Sequence, residues 1–398
     1  MRKLGFVACS KTKSSQPSPA GALYTSALFK KSLLAAVNEC SKVYILSAKY
    51  GAIGCNEYVH PYDMTLKTMS QVDQKEWGEK TKVQLKPILK PGDEAVMFCG
   101  QDYLNPLKDH FSDLKVSVKI PLGKKSLGTR LKALKKINNE EELEQMGESF
   151  FELMNHVWRF QNKGRLLGST NGRQEWPKRG VYFILSANRM SNKVLPRIVR
   201  VGTHAVSRGS KTTIWNRLST HRGTEAGLGS HRSSIFRLHV GRALMRRSAK
   251  KTWPSSWSKG QTAPKEIRAN EAILERMVSE TLGSMGVIWL DIPDEPGPES
   301  ERAYIERNSI GLLSRLGLLT NIIEDDWLGC YSSDWKIASS GLWNLNHVYD
   351  HPDEEFIERL RIAVTRTIGN VVFSQNTAKP QASETEQFKL FSKQENST

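Results

Sequence analysis

The chain is predicted to be α/β, with a mainly parallel sheet and flanking helices in its N-terminal part and a second, α+β domain after it. Three observations carry that prediction. Short apolar or β-branched runs alternate with helical stretches through the first 135 or so residues, which calls for crossover connections. A new set of strands and helices opens at residue 180 after a turn-rich stretch. Basic charge is also concentrated beyond that point: residues 171–280 hold 22 Lys and Arg against 6 Asp and Glu.

The elements follow in order. Strands are predicted at 4–10, 43–48, 95–100 and 116–121. Helices lie between them at 23–38, where Leu28, Leu33, Leu34 and Val37 share a face, at 70–89 and at 101–110. A long helix at 140–160 carries Leu143, Met146, Phe150, Leu153 and Val157 at helical spacing, with Asn138 or Asn139 as its N-cap. Residues 161–178 read as a linker. The second domain has strands at 180–185, 198–202, 234–240 and 287–292. Its helices are at 211–220, 266–282 and 304–316, and a last helix at 354–369 precedes a polar tail. The expected domains are 1–137, a connection at 138–177, 178–325, an extension at 326–373 and a disordered tail at 374–398.

Composition narrows the class. Of 398 residues, 38% are hydrophobic and 25% charged, as in globular proteins. No run of 18 apolar residues exists, so a spanning helix is not expected. The first residues meet Ser10-Lys11-Thr12-Lys13 too soon for a signal peptide. Five cysteines without a C-x-x-C pair argue against a disulfide framework or a structural zinc, and a cytoplasmic location is expected. The net charge of +17, rich in arginine through the middle, points to a polyanion. A membrane surface would call for a basic amphipathic helix with exposed apolar groups, which is not found. DNA is the expected partner.

Ligands of a parallel sheet gather at the carboxyl ends of its strands. Ala8-Cys9-Ser10-Lys11-Thr12-Lys13 falls there, as does Ser47-Ala48-Lys49-Tyr50-Gly51, and His60-Pro61-Tyr62-Asp63 follows. A thiol beside lysines gains thiolate character, and a carboxylic acid can shuttle protons. These are the parts for nucleophilic attack on an electrophilic carbon. The same residues, with Leu23-Tyr24-x-Ser26-x-Leu28-Phe29 and Pro61-Tyr62-Asp63-x-Thr65-Leu66, resemble the YaaA-like group over residues 1–135. That group is similar to the catalytic part of archaeosine-forming amidinotransferases. The resemblance implies that Cys9 attacks the nitrile of 7-cyano-7-deazaguanine, with Lys11, Lys49, Tyr50 and Asp63 in support and no cofactor.

In the second domain, Gly180-Val181-Tyr182 and Arg200-Val201-Gly202 are separated by a short loop, and Arg217 and His221 lie one turn apart. Together with Glu306 in Tyr304-Ile305-Glu306-Arg307-Asn308, they resemble the GIY-YIG nuclease family over residues 178–325. Arg200 stands where the family's second motif has tyrosine. The resemblance implies Tyr182 as base or relay, Arg217 as cation, Glu306 as the ligand of a Mg²⁺ ion and Asn321 as the late asparagine. Glu271 is a second possible ligand. The long span 222–266 is basic, with Arg242, Arg246, Arg247, Lys250 and Lys251, and its Trp253 and Trp257 could stack on bases or pack in a core.

Two functions are therefore expected. In the first, a DNA-modification enzyme converts a base-borne nitrile to an amide through a Cys9 thioimidate, in a 7-deazaguanine system with other proteins as partners. The alternative is a Mg²⁺-dependent GIY-YIG-type endonuclease of a defence or restriction system.

Overall fold

In a computed structural model, residues 1–123, 126–187, 194–248, 252–320, 323 and 326–369 are described. The expected tail, Asn321, Lys250 and Lys251 lie outside them. The chain divides into two compact units: Met1–Leu143 with Ser314–Gly341, and Glu144–Leu313 with the residues from Leu342 onward.

The first unit is an α/β layer structure. Its five-stranded sheet runs in the order Gly51–Gly54, Lys42–Ser47, Lys3–Ala8, Glu94–Phe98, Ser117–Lys119. The last four strands are parallel to one another, as the alternating pattern requires. Gly51–Gly54 pairs antiparallel with Lys42–Ser47 and was not foreseen, because two of its four residues are glycines. Helix Ala27–Glu39 starts at Ser26, whose hydroxyl accepts the Phe29 N–H. Helix Gln71–Leu85 starts in the same way at Ser70. An unforeseen helix, Leu127–Ile137, is capped by Ser126. Leu4, Phe6, Leu46, Met97, Leu107 and Phe111 lie in the core of this unit.

The second unit is built on an antiparallel sheet, in the order Ile198–Gly202, Gly180–Leu185, Gly286–Asp291, Arg165–Leu166. The stretch 161–178 therefore supplies an edge strand, and its Trp176 packs on Trp215 and Trp289 with ring centroids 5.5 and 4.7 Å away. Helix Glu140–Phe160 covers one face, where Phe150 meets Phe183 and Phe356. Residues 234–240 are not a strand. They open helix Ile235–Ser248, with Ser234 accepting the Arg237 N–H. Phe236, Val240, Ala243 and Leu244 are buried at intervals of four and three, and interleaved polar residues had made this stripe resemble strand alternation. Helices Lys265–Gly283, Glu301–Leu319 and Phe356–Ile368 complete the unit.

Candidate functional site

All six residues of strand Gly180–Leu185 are buried. The pleat turns Phe183 toward Phe150 and Tyr182 to the opposite face. On the neighbouring strand Gly202 pairs with Tyr182. A Cβ at position 202 would lie 2.2 Å from the Tyr182 hydroxyl and 2.3 Å from its Cζ. Only glycine fits there, which explains why the second motif keeps its glycine although its tyrosine is replaced.

The Tyr182 hydroxyl lies 2.8 Å from Nε2 of His221, and His221 Nδ1 lies 2.7 Å from the Ser234 hydroxyl. Tyr182 and His221 are both 0% exposed. His221 is carried by helix Ile214–Arg222, whose start is fixed by a capping box between Thr213 and Asn216. Arg217, four residues before His221, lies on the same side of this helix and is half-buried. Burial drives the His221 pKa well below its ordinary value, and Arg200, Arg217 and Arg237 add repulsion. The imidazole is thus neutral.

Glu306 projects from helix Glu301–Leu319. Its Oε1 accepts the Thr203 N–H at 3.1 Å, and the Thr203 hydroxyl donates to the Gly180 carbonyl at 2.9 Å. The carboxylate is thereby held where the ends of the two motif strands meet. Burial pushes its pKa up, while Arg200, the Thr203 N–H, His347 and Arg217 pull it down. Among the described residues it makes no ion pair. A half-buried carboxylate without an ion pair suits a hard cation that keeps most of its waters, as magnesium does. No cluster of three or more ligating side chains exists among the described residues, so one carboxylate would have to suffice. Glu271 is no second ligand. Arg232 grips both its oxygens and the Ser256 hydroxyl donates to one of them.

Arg200 lies over the Phe236 ring at 4.9 Å and donates to the Trp343 carbonyl at 2.7 Å. Asn344 bonds both the N–H and the C=O of Val201, at 3.1 and 2.8 Å. Trp257 is a core residue, stacked on His231 at 3.8 Å and pressed against Gly241. Trp253 is half-buried, and its indole donates to Ser248.

With this geometry, residues 141–369 match the family model described as GIY-YIG domain, over more than half of the chain. The chain belongs to the GIY-YIG family. GIY-YIG membership points to nuclease-type activity and implies interaction with DNA. Residues 4–136 match a family of unknown function (DUF6884), which brings no activity with it. No match was found among curated proteins. None was found among solved structures. Among the described residues no helix is long and apolar enough to cross a membrane.

The residues singled out in the first unit gather only in part. The half-buried Cys9 has its sulfur 3.1 Å from the Tyr103 hydroxyl and 3.4 Å from the Ala48 N–H. Tyr62 bonds Ser47 at 2.7 Å and Tyr24 at 3.0 Å. Desolvation raises the pKa of all three tyrosines, that of Tyr24 to about 12, and Cys9 adds to each. Lys49 is exposed, with Nζ 5.3 Å from the centre of the Tyr50 ring and 6.0 Å from that of Tyr62. The Tyr50 hydroxyl donates to the His60 carbonyl. Lys11 and Asp63 are exposed, and Asp63 makes no hydrogen bond or ion pair among the described residues. The sulfur thus meets the Tyr103 hydroxyl, and the lysine nearest this group of rings is Lys13, with Nζ 4.4 Å from the centre of the Tyr62 ring. Sequence reasoning missed Tyr103, which lies 94 residues from Cys9. It also missed Ser234, Thr203 and Asn344, which act through partners distant in sequence.

Proposed function

We propose that the second unit is a Mg²⁺-dependent DNA endonuclease. The observation that carries this reading is the chain of contacts Tyr182–His221–Ser234 at 2.8 and 2.7 Å, set beside Arg217 and the Thr203-held Glu306. Hydrolysis of a phosphodiester needs a proton acceptor, a cation for the developing charge and help for the leaving oxygen. With Nδ1–H donated to Ser234, Nε2 of neutral His221 is free to accept the proton of Tyr182. Tyr182 would then act as a relay, because its hydroxyl has no direct access to solvent. Arg217 is the partly exposed cation that meets the phosphate. Glu306 would hold the magnesium ion, which, when bound, supplies Lewis-acid stabilisation of the departing oxygen. The arginine-rich surface of the same unit would hold the DNA backbone.

Conversion of a base-borne nitrile at Cys9 has less support. Of the groups expected to assist the thiol, Lys11, Lys49 and Asp63 are exposed and the half-buried Tyr50 turns its hydroxyl to the His60 carbonyl. The test is nicking of supercoiled DNA, plain and carrying modified bases, with and without magnesium. Magnesium-dependent nicking that falls at least a hundredfold in Arg217→Ala and in Glu306→Gln is expected. Absence of cleavage on every substrate, or full activity in both variants, would overturn the reading.

A further inference from the structure

We propose that the first unit binds a phosphoryl-type oxyanion in the crevice at the carboxyl ends of strands Lys3–Ala8 and Glu94–Phe98. The strand order places this crevice. From Lys3–Ala8 the chain crosses to Lys42–Ser47 on one side, and Glu94–Phe98 joins on the other. The winding therefore reverses between the two strands, and open parallel sheets take their ligands at such a reversal. A cavity of about 60 Å³ opens there, lined among others by Cys9, Ser10, Ser26, Ser32, Gly100 and Arg130. That is room for about four waters. It is well short of the roughly 300 Å³ at which pockets for whole organic ligands begin.

Three features give the cavity its chemistry. Ser32 is 3% exposed and lines the cavity, and its hydroxyl has no hydrogen-bond partner among the described residues. The hydroxyl is thus left where a ligand in the cavity can reach it. Arg130 brings a positive charge. Its Nε is buried without a partner, and its one hydrogen bond among the described residues is a long one from Nη2 to the Gly123 carbonyl, 3.5 Å. No carboxylate pairs with it among the described residues. Third, the first turn of the 13-residue helix Ala27–Glu39 forms one wall. The Ser26 cap accepts from Phe29, while the N–H groups of Ala27 and Leu28 make no hydrogen bond among the described residues. A guanidinium, a free hydroxyl and unpaired N–H groups at the positive end of a helix are all donors, with the Asp102 carboxylate beyond Gly100. A compact, multiply accepting anion is the ligand that satisfies them together.

This site is separate from the nuclease reading, and its test keeps the two apart. The full chain is titrated calorimetrically with inorganic phosphate and, in a second arm, with a nucleoside 5′-monophosphate. The chains compared are wild type, Ser32→Ala, Arg130→Gln, Arg130→Lys and Arg217→Ala. Saturable binding that weakens at least tenfold in Arg130→Gln, less in Arg130→Lys and severalfold in Ser32→Ala is expected, with Arg217→Ala unchanged. Binding in both arms would mark a free-anion site, and binding of the monophosphate alone would mark a nucleotide site. No saturable binding of either probe, or affinities unaffected at positions 32 and 130, would overturn the proposal.

Discussion

Replacing Arg237 with methionine tests how the helix bearing His221 is held. The Arg237 side chain is 0% exposed. It donates to Glu275 Oε2 from Nε at 3.0 Å and from Nη2 at 2.6 Å, to the Ser279 hydroxyl at 2.9 Å, and to the His221 carbonyl at 2.9 Å. Methionine keeps much of the length and none of the donors. It leaves the Glu275 carboxylate, itself 5% exposed, with only the N–H and ring of His231. Breaking one side of a buried pair costs about 3–5 kcal/mol. That is a large share of the roughly 5–15 kcal/mol that holds a domain together. A chain of two units has no single unfolding transition, so the suitable assay is native-state hydrogen exchange resolved by peptide. Amides in Ile235–Ser248 and Lys265–Gly283 should exchange about 10²–10⁴ times faster, with Lys3–Ala8 unchanged. Adding Glu275→Leu should recover much of the loss, because the stranded charge is gone. An acceleration under tenfold, or a double variant as damaged as the sum of the two single ones, would refute the reasoning.

Two further outcomes follow from the same unit. Gly202→Ala drives a Cβ into the Tyr182 ring and should cost about 1–3 kcal/mol; Tyr182→Phe should not rescue it, because Cζ stays 2.3 Å away, and hydrogen exchange across Gly180–Leu185 in the two single variants and the double checks this. Burial lowers the pKa of His204 and of His239 to about 4 and that of His221 well below its usual value. The unfolded chain therefore binds more protons from about pH 6.5 down to 4, and stability is lost as pH falls through that window. Each histidine contributes at most about 1.4 kcal/mol per pH unit, less where solvent still screens the ring; hydrogen-exchange protection across Ile235–Ser248, corrected for the intrinsic rate, that stays flat between pH 7 and 5 would contradict this.

The fold was legible where periodicity was clean. Leu143 to Val157 marked the helix 140–160, and β-branched runs marked the parallel strands of the first unit. It was illegible where tertiary contacts decide. Arg165–Leu166 is a strand only because Gly286–Asp291 lies beside it. In helix Ile235–Ser248, Arg237 and His239 are buried polar residues, and they hide the apolar stripe. The paired motifs around Tyr182 and Gly202 stood out as sequence, as did Arg217 and Glu306. Arg200 looked like a plain loss of tyrosine, yet it is a buried cation acting on both His221 and Glu306. In the first unit, spacing pointed to lysines around Cys9, whereas the folded chain brings Tyr103 to the sulfur.

The strand Ile198–Gly202 slips by one residue against its neighbour between Ile198 and Arg200. That extra residue resets the phase of everything after it. The carbonyl of Val199 takes the Trp343 N–H at 2.7 Å, and Asn344 then closes both polar groups of Val201 as a further strand would. Deleting Val199 would remove the bulge and the acceptor of the Trp343 N–H, while Val201 and Gly202 could keep their pairing with Phe183 and Tyr182. The bulge can therefore absorb the loss of one residue, whereas a residue removed between Arg200 and Gly202 would take the glycine off the tyrosine ring with every other named side chain still present.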